Sequence, residues 1–254
     1  MRTKLILALL FVFLCCGGAQ AEKLKFVADN NFAPYSMSQD GKAAGIDVEL
    51  FQEAARRADI AYELELMPWE QVVQRVRTGA CDGAFSFFRT PEREAYAVFA
   101  EEAVVHFSDY VLFTRNGHSF EFRTWDDLDG KRIGVNKGFR FSEEFDDNVA
   151  KGDIVRVEFD SEAKSIAALL KGQVDAFIGQ LDTTYYQLDR MGMASTVIYL
   201  PTLVKKDRPA YMVISKNADL QNKEQIARRL GIALRSMYRD GTYSKIARRY
   251  LLRF

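Results

Sequence analysis

The residues with the clearest chemical potential lie in the stretch Asp82-Gly83-Ala84-Phe85-Ser86-Phe87-Phe88-Arg89-Thr90-Pro91-Glu92-Arg93, where an apolar run ends in a turn carrying two arginines. Such a run places a strand end, free backbone N–H groups and a guanidinium close together. That is the equipment for gripping a carboxylate, because the guanidinium is a fixed fork of donors. The competing reading of Arg93 is a surface pair with Glu92 or Glu94, a kind of contact that contributes little. Other chemistries have less to build on. His106 and His118 are the only histidines, and neither has a cysteine or carboxylate cluster at ligand spacing. A histidine-based zinc site and a histidine-dependent triad are therefore both unsupported, and both residues read as surface or packing positions. No catalytic residue, metal or cofactor is expected.

The first residues read as a secretory signal peptide over residues 1–21: Arg2 and Lys4 precede an apolar run at 5–14, which closes with Ala19-Gln20-Ala21. A membrane anchor is the alternative, but the run is shorter than the ~20 residues a span requires. Cys15 and Cys16 raise a lipoprotein reading, against which Leu14 and Cys15 stand where a small residue is preferred. Removing residues 1–21 leaves 233 residues with 33 basic and 35 acidic side chains, a balance that does not suggest a nucleic-acid surface. Cys81 is then the only cysteine, so an exported chain of this size must be held by its core without an internal disulfide. With 48% hydrophobic residues it can be.

The elements that must position these residues alternate short β-like runs with amphipathic helices, the pattern of a mostly parallel sheet with helical crossovers. Residues 25–28 read as a strand. Residues 45–58 read as a helix with Ile46, Leu50, Phe51, Ala54 and Ala58 on one face. A strand at 61–66, a helix opened by Pro68-Trp69-Glu70, and a buried strand at 83–87 complete one lobe. A second series begins with a strand at 109–114, a short helix at 125–128, a strand at 132–135 and a helix at 141–149. It continues with a strand at 154–159, a helix at 162–170, a strand at 176–179 and a helix at 182–190. Gly79 to Phe85 resembles Gly172 to Phe177: in each, a helix ends at glycine and a strand begins just after aspartate. A strand at 211–215 and two helices follow, the first with Ile226, Leu230, Leu234 and Met237 on one face, the second with Tyr243, Ile246, Ala247 and Tyr250. No long flexible linker separates the lobes, which suggests a hinge.

In order along the chain, Phe32-Ala33-Pro34-Tyr35, Gly45-Ile46-Asp47-Val48-Glu49-Leu50, Gly79 through Arg93, Trp125 through Val135, Gly172-Gln173-Val174-Asp175-Ala176 and Asp240-Gly241-Thr242-Tyr243 resemble the periplasmic solute-binding proteins of family 3, the amino-acid-type receptors of ABC importers. The resemblance implies an α/β, two-lobed periplasmic-binding-protein fold of type II, each lobe an open, mostly parallel sheet flanked by helices, with the ligand cleft between. Lobe one would comprise residues 22–104 and 211–254, and lobe two residues 105–210, closing by hinge bending.

The resemblance places the family's carboxylate-binding arginine on Arg93 and an aromatic that covers the ligand on Phe32. It places a hydroxyl or carbonyl contact on Ser86, with Phe88 in the same ligand-binding set, and a contact to the far end of the ligand on Asp29. Trp69 is either an aromatic wall of the cleft or ordinary core. Arg89 stands where the family has an apolar residue and is either a solvated flank or a second anion contact. In lobe two, Gly138-Phe139-Arg140-Phe141 matches a loop that offers backbone N–H groups at a helix start, with Phe139 and Arg140 reshaping the pocket. Gln180 falls where the family commonly has the aspartate that meets an α-amino group, and Asp182 lies two residues further. Glutamine supplies no negative charge, so these departures point toward an organic acid, a dicarboxylate or a modified amino acid rather than a standard one.

The implied function is a monomeric periplasmic receptor that captures a small carboxylate-bearing solute and delivers it to an inner-membrane ABC permease, with no enzymatic activity. Two alternatives use the same cleft: a periplasmic enzyme of cyclohexadienyl-dehydratase type, for which Glu70, Asp182 and Asp29 are candidate acids, and a ligand-sensing input protein. A catalytic use would require a carboxylic acid with a shifted pKa.

Overall fold

The structure, a computed structural model, describes residues 23–137 and 141–251, with the backbone alone for 206–208. The expected signal peptide, Phe139 and Arg140 lie outside the described residues.

The first part of the chain forms β1 (Leu24–Asp29), a three-stranded antiparallel sheet of β2 (Asn31–Phe32), β3 (Ser36–Gln39) and β4 (Lys42–Ala44), then α1 (Ile46–Arg57), β5 (Tyr62–Met67), α2 (Trp69–Thr78), β6 (Gly83–Phe88), the short α3 (Pro91–Glu94) and β7 (Ala97–Phe99). β8 (His106–Arg115) leads into a 3-10 turn (Trp125–Leu128), β9 (Arg132–Asn136), α4 (Glu143–Lys151), β10 (Val155–Phe159), α5 (Glu162–Leu170), β11 (Ala176–Gln180) and α6 (Leu181–Arg190). β12 (Val197–Ser215) returns, followed by α7 (Lys223–Arg239) and α8 (Thr242–Leu251).

One sheet runs through both lobes in the order β10-β9-β11-β8-β12-β6-β1-β5, with β7 beside β12. β1 pairs in parallel with β5 and β6, and β9 with β10 and β11, as helical crossovers require. β8 and β12 are antiparallel and join the two halves. The strand expected at 211–215 therefore begins much earlier, at Val197. Pro201, which reads as a break in the sequence, sits within the register irregularity between Tyr199 and Leu203, where a missing N–H is tolerated. The small sheet at β2–β4 has no alternating apolar pattern and went unanticipated.

The core divides in the same way. Phe26, Leu50, Phe51, Phe85, Met212 and Leu234 belong to an apolar cluster built by residues up to Val105 and from Met212 onward. Leu112, Leu128, Ile133, Phe145, Ile178 and Leu200 belong to another, drawn from the intervening segment. Each fully buried Phe or Leu contributes about 1.5–3 kcal/mol, enough for two cores without a disulfide. Cys81 is a free buried thiol, pushed up to about 12 chiefly by burial.

The repeated Gly-to-Asp pattern has one physical basis in both lobes. Asp82 accepts the Lys25 N–H at 2.7 Å, and Asp175 accepts the Arg132 N–H at 2.8 Å. In each lobe the aspartate just before a strand pins the start of the adjacent parallel strand. Gly79, at φ 78°, ends α2 in the left-handed region and approaches the Asn217 carbonyl too closely for any side chain.

Candidate functional site

A cavity of about 790 Å³ lies between the lobes. It sits where open α/β sheets bind ligands, at the carboxyl ends of strands and the N-termini of helices. Asp29 ends β1, Gln180 ends β11, Trp69 opens α2 and Glu162 opens α5, and all four line it.

On the first lobe, Phe32 stacks on Tyr35 at 5.2 Å between centroids, and Tyr35 stacks on His106 at 3.9 Å. Phe32 and Trp69 line the cavity, so the aromatic-wall reading of Trp69 fits its position, while its contact with Phe87 at 5.0 Å also anchors it to the core. Asp29 is half-buried; loss of hydration raises its pKa, against the Asn31 N–H that it accepts at 3.0 Å. Arg93 lies behind this wall. Its guanidinium is 5.2 Å from the Trp69 ring centroid and 5.1 Å from that of Phe87, and Nη1 donates to the Phe88 carbonyl at 2.8 Å. Arg93, Phe88 and Ser86 are not among the residues lining the cavity. Arg89 settles as a flank: it pairs with Glu94 and with Glu101 at 2.8 Å, and lies over Phe99.

Ser86 and His106 meet at a buried carboxyl group that the sequence did not single out. The Ser86 hydroxyl donates to Asp47 Oδ2 at 2.6 Å, and His106 Nδ1 lies 2.8 Å from the same oxygen. Asp47 is fully buried and His106 is 3% exposed. Of the two readings of His106, packing rather than surface holds: it packs on Tyr35, and it also faces a buried acid at the point where the chain passes from β7 into β8. His118 is exposed, as expected. Ser86 adopts φ 60°, unusual for a residue other than glycine, and its hydroxyl is aimed inward.

The lobes touch directly beneath this cluster. The Tyr35 hydroxyl donates to Asp182 Oδ2 at 2.6 Å, and the Tyr186 hydroxyl approaches the Met37 sulfur at 3.7 Å. Burial, with Asp182 and Asp47 adding, holds the Tyr35 phenol well above its usual range. Asp182 therefore reaches across the cleft to the other lobe.

On the second lobe, Gln180 is 3% exposed; its Nε2 donates to Ser108 Oγ at 2.9 Å, and its Oε1 has no partner among the described residues. Glu162, half-buried, accepts from the Thr184 hydroxyl and from Gln187 Nε2 at 3.0 Å, with the Thr183 hydroxyl at 3.5 Å. Loss of hydration raises its pKa to about 7, against the lowering effect of the two threonines. Glu162 was missed in the sequence, although its place at a helix start just after a strand end was legible there. The cavity wall carries Asp29, Asp40, Asp160 and Glu162 against Lys137 and Arg190, an acidic balance among the described residues.

Comparison with known proteins places this geometry. The model of the family described as bacterial extracellular solute-binding proteins, family 3, matches residues 24–253. The ABC transporter arginine-binding protein 1 of Escherichia coli (strain K12) is 22% identical over 250 residues, covering 96% of this chain and 97% of that protein. The L-cystine-binding protein TcyJ of the same strain is 22% identical over 232 residues, covering 87% and 80%. The solved structure of the arginine-, lysine-, histidine-binding protein ArtJ from Geobacillus stearothermophilus aligns with a TM-score of 0.71 at 23% identity, over 91% of this chain and 95% of that one.

Proposed function

Because the chain belongs to the bacterial extracellular solute-binding proteins, family 3, we propose that it is a periplasmic receptor that closes its two lobes on an amino acid or a closely related carboxylate-bearing solute and passes it to an ABC permease. The observation that carries this reading is the inter-lobe cavity itself, which joins an aromatic wall and strand ends of one lobe to a buried acceptor on the other that has no partner among the described residues. Its acidic balance favours a solute with a cationic nitrogen beside its carboxylate over a dicarboxylate.

In this reading Phe32, Trp69 and Asp29 face the solute from the first lobe, and Gln180 from the second; Phe139 and Arg140, also expected at the pocket, lie outside the described residues. Arg93 meets the carboxylate, turning out from the Phe88 carbonyl, while Ser86 bonds Asp47 beneath the wall. The residues of the relatives' names suggest the solute class: arginine and cystine both carry ammonium groups.

A panel of amino acids, dicarboxylates and aromatic acids, screened by thermal shift together with mass spectrometry of co-purified solute, tests the reading. A solute at a hundred times its Kd adds about 2.7 kcal/mol of stability. For a chain of this size that corresponds to a rise of roughly 5–10 °C. Arg93→Ala is expected to abolish the rise; retention of full affinity in that variant would refute the anchor, and a flat panel would refute the solute class.

One observation favours the enzymatic alternative: Asp29 and Glu162 are cavity acids with raised pKa values, which general acid–base catalysis requires. Glu70 is exposed and Asp182 bonds to Tyr35, so neither fits that role. Turnover of prephenate or arogenate by the purified protein would decide for the enzyme.

A further inference from the structure

We propose that Glu162 and Gln180 together form a cation subsite on the second lobe, in which Gln180 Oε1 accepts an N–H from a protonated nitrogen of the solute and Glu162 supplies the negative charge. The inference rests on the solute-binding reading and extends it to the residues that set specificity for charge.

The first support is the state of Gln180. Its amide nitrogen donates to Ser108, its side chain also bonds the Tyr35 phenol, and its carbonyl oxygen Oε1 is buried without a partner among the described residues. A buried acceptor left unpaired is unfavourable, and a donor delivered by the solute removes the penalty. A neutral amide satisfies only the hydrogen bond. The charge of the nitrogen must be met elsewhere.

Glu162 meets it. Its carboxylate lines the same cavity, and every group that hydrogen-bonds to it is neutral: the hydroxyls of Thr183 and Thr184 and the amide of Gln187, all on α6. Among the described residues it has no ion-pair partner. Asp160, two residues earlier, is paired with Lys164 at 2.6 Å. The two residues are linked through the backbone: the Thr183 hydroxyl donates to the Gln180 main-chain carbonyl at 3.1 Å and lies 3.5 Å from Glu162 Oε1. The backbone also keeps room for the carboxylate. A Cβ on Gly179, the residue before Gln180, would fall 2.6 Å from Thr184 Oγ1 and 3.1 Å from Glu162 Oε1. A side chain at position 179 would force Thr184 and Phe177 to shift and would press on the acid.

A half-buried carboxylate held by neutral donors alone is only partly solvated, and a cation is the complement it lacks. The remaining charged groups around the cavity are Lys137 after β9, Arg190 at the end of α6, and Asp29 and Asp40 on the first lobe. With Asp160 paired to Lys164, these four cancel among the described residues, and Glu162 is the lining acid left without a cation. The same partial solvation makes the site sensitive to pH: Glu162 takes up a proton as pH falls through about 7, and the subsite then loses its charge.

Calorimetric titration of the full chain with L-arginine, L-lysine, L-cystine and L-glutamine, at pH 8 and pH 6, tests the subsite. Wild-type affinity for the tightest of these probes is expected to fall up to roughly tenfold from pH 8 to pH 6, following the fraction of ionised Glu162. Glu162→Gln preserves size, keeps one oxygen to accept from the threonine hydroxyls and lets its amide nitrogen donate to a flipped Gln187 side chain; it is expected to lose about 10- to 100-fold in affinity at pH 8 and to show no pH dependence. Gly179→Ala, which keeps the acid and crowds it, is expected to weaken binding in the same direction, with circular dichroism confirming that both variants fold. If Glu162→Gln binds a probe with wild-type affinity and wild-type pH slope, the subsite is refuted while the solute reading stands. If no probe binds wild type at either pH, the amino-acid reading fails and the subsite fails with it.

Discussion

Replacing Ser86 by alanine and by glycine separates two effects that coincide at one residue of β6. The first is the hydroxyl, which donates to the buried Asp47 at 2.6 Å. Removing a donor from a buried acceptor costs about 1–3 kcal/mol, so Ser86→Ala is expected to destabilise the protein by about 2 kcal/mol. The second is the backbone, held at φ 60°. Left-handed backbone costs a residue with a Cβ about 1–2 kcal/mol, and glycine escapes that cost. Ser86→Gly therefore loses the same bond but recovers about 1 kcal/mol relative to alanine, after allowing for the freedom glycine adds to the unfolded chain. In a chain of this size the alanine variant should melt about 4–8 °C below wild type, and the glycine variant about half as far below. Scanning calorimetry of the unliganded protein reads both shifts, and titration with the solute found in the panel reads affinity, expected to change little because Ser86 is absent from the cavity wall. An unchanged melting temperature in Ser86→Ala, or a glycine variant no better than alanine, would refute the reasoning. A tenfold loss of affinity at unchanged melting temperature would show instead that the hydroxyl serves the solute.

Arg57 ties α1 to the C-terminal helices through Ser236, Asp240 and Thr242, and bonds Glu53 on its own helix. Arg56 and Arg57 hold Glu53 at about 2, and Thr242 with Arg57 holds Asp240 at about 2. Both folded-state values lie below the ordinary carboxylate range, so their stabilisation is present above about pH 4.5 and is lost as pH falls toward 2. Urea midpoints measured from pH 6 down to pH 2.5 should fall less steeply for Arg57→Ala than for wild type, and identical slopes would remove the assignment. Tyr35→Phe deletes the hydroxyl that bridges the lobes to Asp182. A loss of about 1 kcal/mol from the closed arrangement shifts the closed-to-open ratio roughly fivefold. Small-angle scattering of the unliganded variant should give a larger radius of gyration, and an unchanged radius would show that the hydroxyl does not hold the lobes.

The elements most legible in the sequence were those whose pattern is local. The apolar face of α1, with Ile46, Leu50, Phe51 and Ala54 buried, follows from helical spacing alone. The two aspartates that precede β6 and β11 announced a repeated device, and each does pin its neighbouring strand. The length of β12 was not legible, because its pairing with β8 overrides the local signal of Pro201. Of the proposed site, Asp29, Phe32, Trp69 and Gln180 were readable from motif position and do face the cavity, whereas the placement of Arg93 between the Trp69 and Phe87 rings was not.

The sequence by itself determined the alternation of strands and helices, the two lobes, and the absence at position 180 of a residue with charge. Only the tertiary structure decided which side chains share an environment: Asp47 with Ser86 across 39 residues, Tyr35 with Asp182 across 147, and Glu162 with Thr184 on separate helices. The physical reason is that secondary structure answers to neighbours three or four positions away, while desolvation and hydrogen bonding answer to whatever the fold brings within about 3 Å. A carboxylate such as Glu162 reads as an ordinary surface acid until the wall that excludes water from it is in place.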